Sequence, residues 1–184
     1  KDSHQVAGTL NNMALVHQEK GEYDLALELY GRSLGITERQ FGKDSHQVAD
    51  TLVGMAIVHQ EKGEYDLALQ LFERALPIFE QSFGIESRPS FSVHSQIANT
   101  QIALHDRTEA CQYLLIVFRG GITNFTALVR DRLATGEPLI GSKLSLLDLD
   151  DACQTFHDLL HYAPPNSDFV AQATEEIRRL RNLQ

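Results

Sequence analysis

No tryptophan occurs in the 184-residue chain, and cysteine, methionine and proline are scarce at two, two and five residues. Two cysteines, Cys111 and Cys153, cannot build the disulfide framework of a small secreted domain, so the cytoplasm is the expected compartment. No apolar run approaches the roughly 18 residues that a membrane-spanning helix needs, and no signal peptide is visible, so no membrane association is expected. The chain opens on Lys1 rather than methionine and can therefore be a fragment of a longer protein. Positive charge is also short, with 16 Lys and Arg against 25 Asp and Glu and a formal net charge of −9. Gripping a phosphate backbone takes clustered Lys and Arg, so nucleic acid is not the expected partner. Neither a Gly-rich phosphate loop nor a nucleophile elbow is present. We expect no enzymatic activity, no catalytic residues and no cofactor.

What is present is a repeat. The chain is 42% hydrophobic and 22% charged, ordinary values for a folded protein. Gly21-Glu22-Tyr23-Asp24-Leu25-Ala26-Leu27 returns unchanged as residues 63–69, and residues 1–42 match residues 43–84 at 30 of 42 positions. A fixed period of this size means stacked units rather than one core of unrelated elements. Within the first unit, Val6, Leu10, Met13, Ala14 and His17 form one face of a helix over 3–19. Gly21 ends it, and a second helix over 22–41 carries Ala26, Tyr30, Ser33, Leu34, Thr37 and Phe41 on its packed face. The second unit repeats the pattern with Leu52, Met55, Ala56 and His59, then Ala68, Phe72, Ala75, Leu76 and Phe83.

Later units are degenerate but in phase. Ala26, Ala68, Ala110 and Ala152 stand 42 residues apart, and so do Cys111 and Cys153. The expected organisation is one repeat domain of four helical hairpins, at 1–42, 43–84, 85–126 and 127–166, followed by a capping helix at 168–183. That last helix has Val170, Ala173, Ile177 and Leu180 on one side and charged residues on the other, as a terminal cap requires. It should cover Phe156 and Leu160.

The helical hairpin with small residues at its crossing resembles the tetratricopeptide repeat. Val6–Ala14 (Val-Ala-Gly-Thr-Leu-Asn-Asn-Met-Ala), Gly21–Leu27 and Phe41–His46 are similar to the 42-residue repeats of kinesin light chains, with Ser45-His46 where that family usually has His-Pro. The resemblance implies an all-α, right-handed superhelical solenoid of about four hairpins.

The histidines have structural explanations. His17 and His59 occupy equivalent first-helix places and read as half-buried packing residues. His157 and His161 lie one helical turn apart, a spacing that can hold zinc, but no third ligand accompanies them and no metal site is expected. Cys111 and Cys153 read as buried structural thiols.

Carrying the tetratricopeptide geometry over by position, the exposed first-helix residues are Asn11, Leu15, Gln18 and Glu19 in unit one. Unit two supplies Val53, Ile57, Gln60 and Glu61, and unit three Ser95, Asn99 and Ile102. These line the concave face, where such arrays bind partners. None is Lys or Arg, so an acidic tail is a poor ligand there. The expected function is a non-catalytic scaffold or adaptor holding a neutral or basic segment of another protein within a larger assembly. The second hypothesis is a structural or regulatory repeat domain attached to an enzyme or motor-associated protein encoded outside these residues.

Overall fold

In a computed structural model, the described residues are 3–85, 87–106, 108–120, 154, 157–158, 161–164 and 168–181. They are helical, with no strand among them. The elements are α1 (Ser3–Glu19), α2 (Tyr23–Phe41), α3 (His46–Glu61), α4 (Tyr65–Phe83), α5 (Arg88–Ala103), α6 (108–120) and α7 (Phe169–Arg181). Among the described residues no helix is long and apolar enough to cross a membrane. The chain divides into two compact units, residues 1–104 and 105–184.

The first unit is two and a half hairpins of a helical solenoid. Its turns follow from glycine. Gly21 and Gly63 adopt φ of +75° and +77°, where a side chain would be strained. This left-handed residue lets the backbone N–H of Glu22 reach back to the carbonyl of His17 at 2.9 Å, and that of Glu64 to His59 at 2.8 Å. The helix ends are thereby satisfied and the chain reverses. The next helix packs back on the first through small and buried residues. Ala14 and Ala26 are fully buried, and the Ser33 hydroxyl donates to the carbonyl of Ala7 at 2.9 Å.

Hairpins then pack on one another, so the core is continuous along the array. Leu10, Ala14, Ala26, Leu29, Tyr30 and Val58 form one cluster drawn from α1, α2 and α3, with Met55 and Ile36 against it. Phe72, Leu52 and Ile97 are the largest fully buried side chains among the described residues. Burial of each contributes about 1.5–3 kcal/mol. α4 continues as a single α-helix through Pro77. α5 begins with Pro89 in its first turn and a cap in which Ser87 accepts from the Ser90 N–H at 3.4 Å.

Two expectations fail. Val6 and Met13 are 44% and 45% exposed, and the interior stripe of α1 is instead Ala7, Leu10, Ala14 and Gln18. Periodicity locates an apolar stripe, but Met13 lies toward the side of α1 that no helix of the described residues covers. Phe41 and Phe83, expected on the packed face, are also exposed. Each ends its helix one residue before Gly42 or Gly84, so its ring lies beyond the hairpin; Phe83 meets the edge of His46 with ring centroids 5.5 Å apart.

In the second unit, Ala110, Cys111, Leu114 and Phe118 of α6 are buried, as is Ala173 of α7. Gln172 accepts from Arg119 at 3.1 Å, tying α7 to α6. Most of the fourth hairpin, including Cys153, Phe156 and Leu160, lies outside the described residues, as does the packing of Ile177 and Leu180.

Candidate partner-binding face

The first helices of neighbouring hairpins approach closely enough for short amide side chains to bridge them. Asn11 Nδ2 donates to Thr51 Oγ1 at 3.0 Å, Gln18 Nε2 to Glu61 Oε1 at 3.1 Å, and Gln60 Nε2 to Thr100 Oγ1 at 3.1 Å. The second helices, in contrast, are joined through the long Arg74–Glu38 pair. Within residues 1–104, α1, α3 and α5 therefore make the inner layer and α2 and α4 the outer one.

The amides chosen from sequence thus divide into two groups. Gln18 is 9% exposed and sits in a buried chain of contacts: the Tyr30 hydroxyl donates to its Oε1 at 3.4 Å while its Nε2 reaches Glu61. Burial, and secondarily the Glu61 charge, pushes the Tyr30 phenol up. Gln18, Gln60 and half-buried Asn11 hold the inner layer together. Leu15, Glu19, Glu61 and Asn99 are exposed, whereas Val53, Ile57, Ser95 and Ile102 are half-buried. The exposed and half-buried apolar residues Leu15, Val53 and Ile57 remain available on this face.

A sharper outline comes from comparing α1 with α3. Residues 3–19 differ from 45–61 at four places only: Gly8/Asp50, Asn11/Val53, Asn12/Gly54 and Leu15/Ile57. At 100° per residue all four fall within an arc of about 100°. None of the eight residues is buried. The arc lies between the side that packs on its own second helix and the side that packs on the preceding hairpin. At three of the four places no tight contact dictates the residue; at the fourth, Gly54 is required by the Tyr30 ring of the preceding hairpin.

Asp50 and Gly8 share this arc and were missed by position-by-position transfer. The signal was present in the sequence as four mismatches sharing one helix face. Loss of hydration pushes the Asp50 carboxyl up, with His46 acting in the opposite sense. Its side chain nevertheless reaches solvent. A carboxylate in a concavity contacts water yet is less fully hydrated than one on a convex surface, which is the direction seen.

Two histidines expected to pack do so while also bonding across the turn. His17 Nδ1 pairs with Glu22 Oε2, and His59 Nδ1 lies 2.5 Å from Glu64 Oε2. In both pairs the histidine bond leads the causes that hold the glutamate below the usual carboxylate range. Among the described residues no group of three His, Cys, Asp or Glu is arranged to hold a metal ion.

Residues 5–81 match the family model for the tetratricopeptide repeat. No curated protein matches the chain. The crystal structure of BtubC (BKLC) from P. vanneervenii is similar with a TM-score of 0.71 at 18% identity, covering 100% of this chain and 65% of that one. The chain thus spans less than two thirds of that relative. A Podosopora anserina putative kinesin light chain with nearly identical TPR-like repeats aligns at a TM-score of 0.59 and 15% identity, over 96% of this chain and 85% of that one. A second crystal structure of that putative kinesin light chain gives the same TM-score of 0.59 at 14% identity, with 97% and 86% covered. At such identities the likeness is one of fold.

Proposed function

Because residues 5–81 are tetratricopeptide repeats and the fold is the helical solenoid of kinesin-light-chain-like repeat proteins, we propose a non-catalytic scaffold or adaptor that holds a segment of another protein along the inner face of α1, α3 and α5. Tetratricopeptide repeats generally mediate protein–protein interaction. The observation that carries the reading for this chain is that three of the four α1–α3 differences, Gly8/Asp50, Asn11/Val53 and Leu15/Ile57, fall together on an unburied arc, while the fourth is set by Tyr30 against Gly54. Identical helices would offer a ligand the same surface twice; these offer Leu15 in one turn of the groove and Val53 and Ile57 in the next.

The ligand chemistry follows from the lining. Apolar Leu15, Val53 and Ile57 run between polar Asn12, Asn99 and Ser95, with Glu19, Asp50 and Glu61 as the charged groups and no Lys or Arg among them. A neutral or basic segment, extended or amphipathic, fits this surface. Each exposed ion pair would contribute only about 0–1 kcal/mol, so apolar contact sets affinity and charge sets choice. The scarcity of cysteine supports a cytoplasmic setting for this binding.

The test is selection of random displayed peptides on the immobilised chain, followed by titration of the recovered peptides against the L15R/I57R double variant. Neutral or basic peptides should be recovered and should bind the variant at least tenfold more weakly, while circular dichroism and melting temperature stay nearly unchanged. Undiminished binding by the folded variant would move the site to the outer helices, and loss of folding would make the strip core.

A further inference from the structure

Asp50 is the one charge that separates α3 from α1. Gly8 stands at its place on α1 and Ser92 at its place on α5, so only α3 presents a carboxylate at this level. The position is exposed on all three helices. The residue one turn later changes with it: Asn11 follows Gly8 and Ser95 follows Ser92, but half-buried Val53 follows Asp50. The middle hairpin alone therefore joins a carboxylate to an aliphatic neighbour here.

Asp50 has no cation of its own among the described residues. The ion pairs of Lys and Arg join Lys62 to Asp24 and Glu64, Arg74 to Glu38, and Arg178 to Glu175. His46, one turn earlier on the same helix, is the titratable group that acts on Asp50, while loss of hydration pushes its carboxyl up. Glu61 differs, because it already accepts from Gln18. It also lies about 16 Å further along α3, beyond the reach of a side chain held at Asp50.

A carboxylate site needs room for its ligand, and α1 leaves it. The Asn11–Thr51 and Gln18–Glu61 bonds hold α1 and α3 side by side and parallel. Gly8, one turn before Asn11, is thereby level with the turn that carries Asp50. A Cβ on Gly8 would meet nothing within 4 Å. A lysine or arginine can lay its aliphatic stem on Val53 and Ile57 and bring its charged head to Asp50.

Resting on the inner-face reading above, we propose that Asp50 and Val53 form a subsite for one lysine or arginine side chain of the bound segment, and that this subsite sets the segment's register in the groove. The basic residue lies over α3, with uncharged residues over Gly8 and Ser92. Packed helices lie about 10 Å apart, which is about three residues of an extended ligand.

The experiment runs selections from one random displayed peptide library on the parent chain, Asp50→Asn and Asp50→Lys. The parent should enrich Lys or Arg at a single position, Asp50→Lys should enrich Asp or Glu there, and Asp50→Asn neither. Peptides recovered on the parent should bind Asp50→Asn about fivefold more weakly and Asp50→Lys at least about tenfold more weakly. Asp50→Gly, the residue that α1 carries at this place, should reproduce the loss if asparagine disturbs the melt. Gly8→Asp should tighten binding about fivefold for peptides with a second basic residue about three positions from the first. Peptides that lose binding to L15R/I57R but hold Asp50→Asn with parental affinity would overturn the subsite and leave the inner-face reading standing. Peptides indifferent to L15R/I57R, or a selection that recovers none, would overturn both.

Discussion

Tyr30 of one hairpin leaves no room beside Gly54 of the next. A methyl group there would fall 2.7 Å from Cζ and 2.8 Å from Cε1 of a ring that is itself buried. Gly54→Ala should therefore destabilise the chain by about 1–3 kcal/mol, as overpacking does, despite alanine's better helix propensity. Gly31 lies in α2 with nothing within 4 Å of a built Cβ. Gly31→Ala should stabilise by about 0.5–1 kcal/mol. Paired thermal melts decide the matter; a gain from both substitutions would show that the hairpins are not in close contact at Tyr30.

His94 occupies the place of Leu10 and Leu52 and is as buried as they are. Its Nε2 lies 3.3 Å from Glu80 Oε1 across the α4–α5 junction. Burial holds its pKa below the ordinary 6.5, with Glu80 opposing. The unfolded histidine then takes up a proton at a higher pH than the folded one. Stability should fall as pH drops below about 6.5 and level off below the folded value. His94→Leu should flatten this slope, so that its melting temperature exceeds that of the parent by more at pH 5.5 than at pH 8. An equal difference at both would remove His94 from the pH response.

The Glu64 carboxyl is lowered first by its bond from His59 and further by Lys62, and Glu22 by His17. A lowered carboxylate stabilises the fold above its unfolded value of 4.5 and loses that contribution as pH falls through the folded value. Replacing both glutamates with glutamine should shrink the acid-induced loss of stability below pH 4.5. Chemical denaturation between pH 3 and pH 6 measures it, and an unaltered acid limb would mean that these turn contacts carry no stability.

His105 has φ of +64° at the place where Gly21 and Gly63 turn the earlier hairpins. The left-handed backbone persists although the glycine is gone. A non-glycine residue in this region costs about 1–2 kcal/mol, partly offset by the 0.5–1 kcal/mol that glycine's own freedom costs. His105→Gly should therefore stabilise by up to about 1 kcal/mol, or up to about 4 °C in this size range. A lower melting temperature would show that the histidine side chain holds the turn.

Much of this architecture was legible from residues 1–84, because two near-identical copies expose both period and phase. The hairpin helices fall at Ser3–Glu19 and Tyr23–Phe41, against 3–19 and 22–41 read from spacing. What spacing could not give was which side of a helix has a neighbour. Met13 and Met55 are the same residue in the same pattern, yet only Met55 has α2 against it. Likewise Gln18 looked like a groove amide, but Tyr30 and Glu61 close around it, a contact made across 12 and 43 residues. The inner face was legible only in part. Transferring positions from the repeat class pointed to Leu15 and Ile57, and Asp50 joined the candidates once mismatches between repeats were placed on a helix.

The central claim is that the inner layer takes the partner, and hydrogen exchange with a selected basic or neutral peptide at saturation tests it most directly. We expect new protection in α1 and α3 around Asn11–Leu15 and Val53–Ile57, extending to Ser95–Asn99 of α5, with α2 and α4 unchanged. Protection confined to α2 and α4, around Leu25 and Leu67, would contradict it.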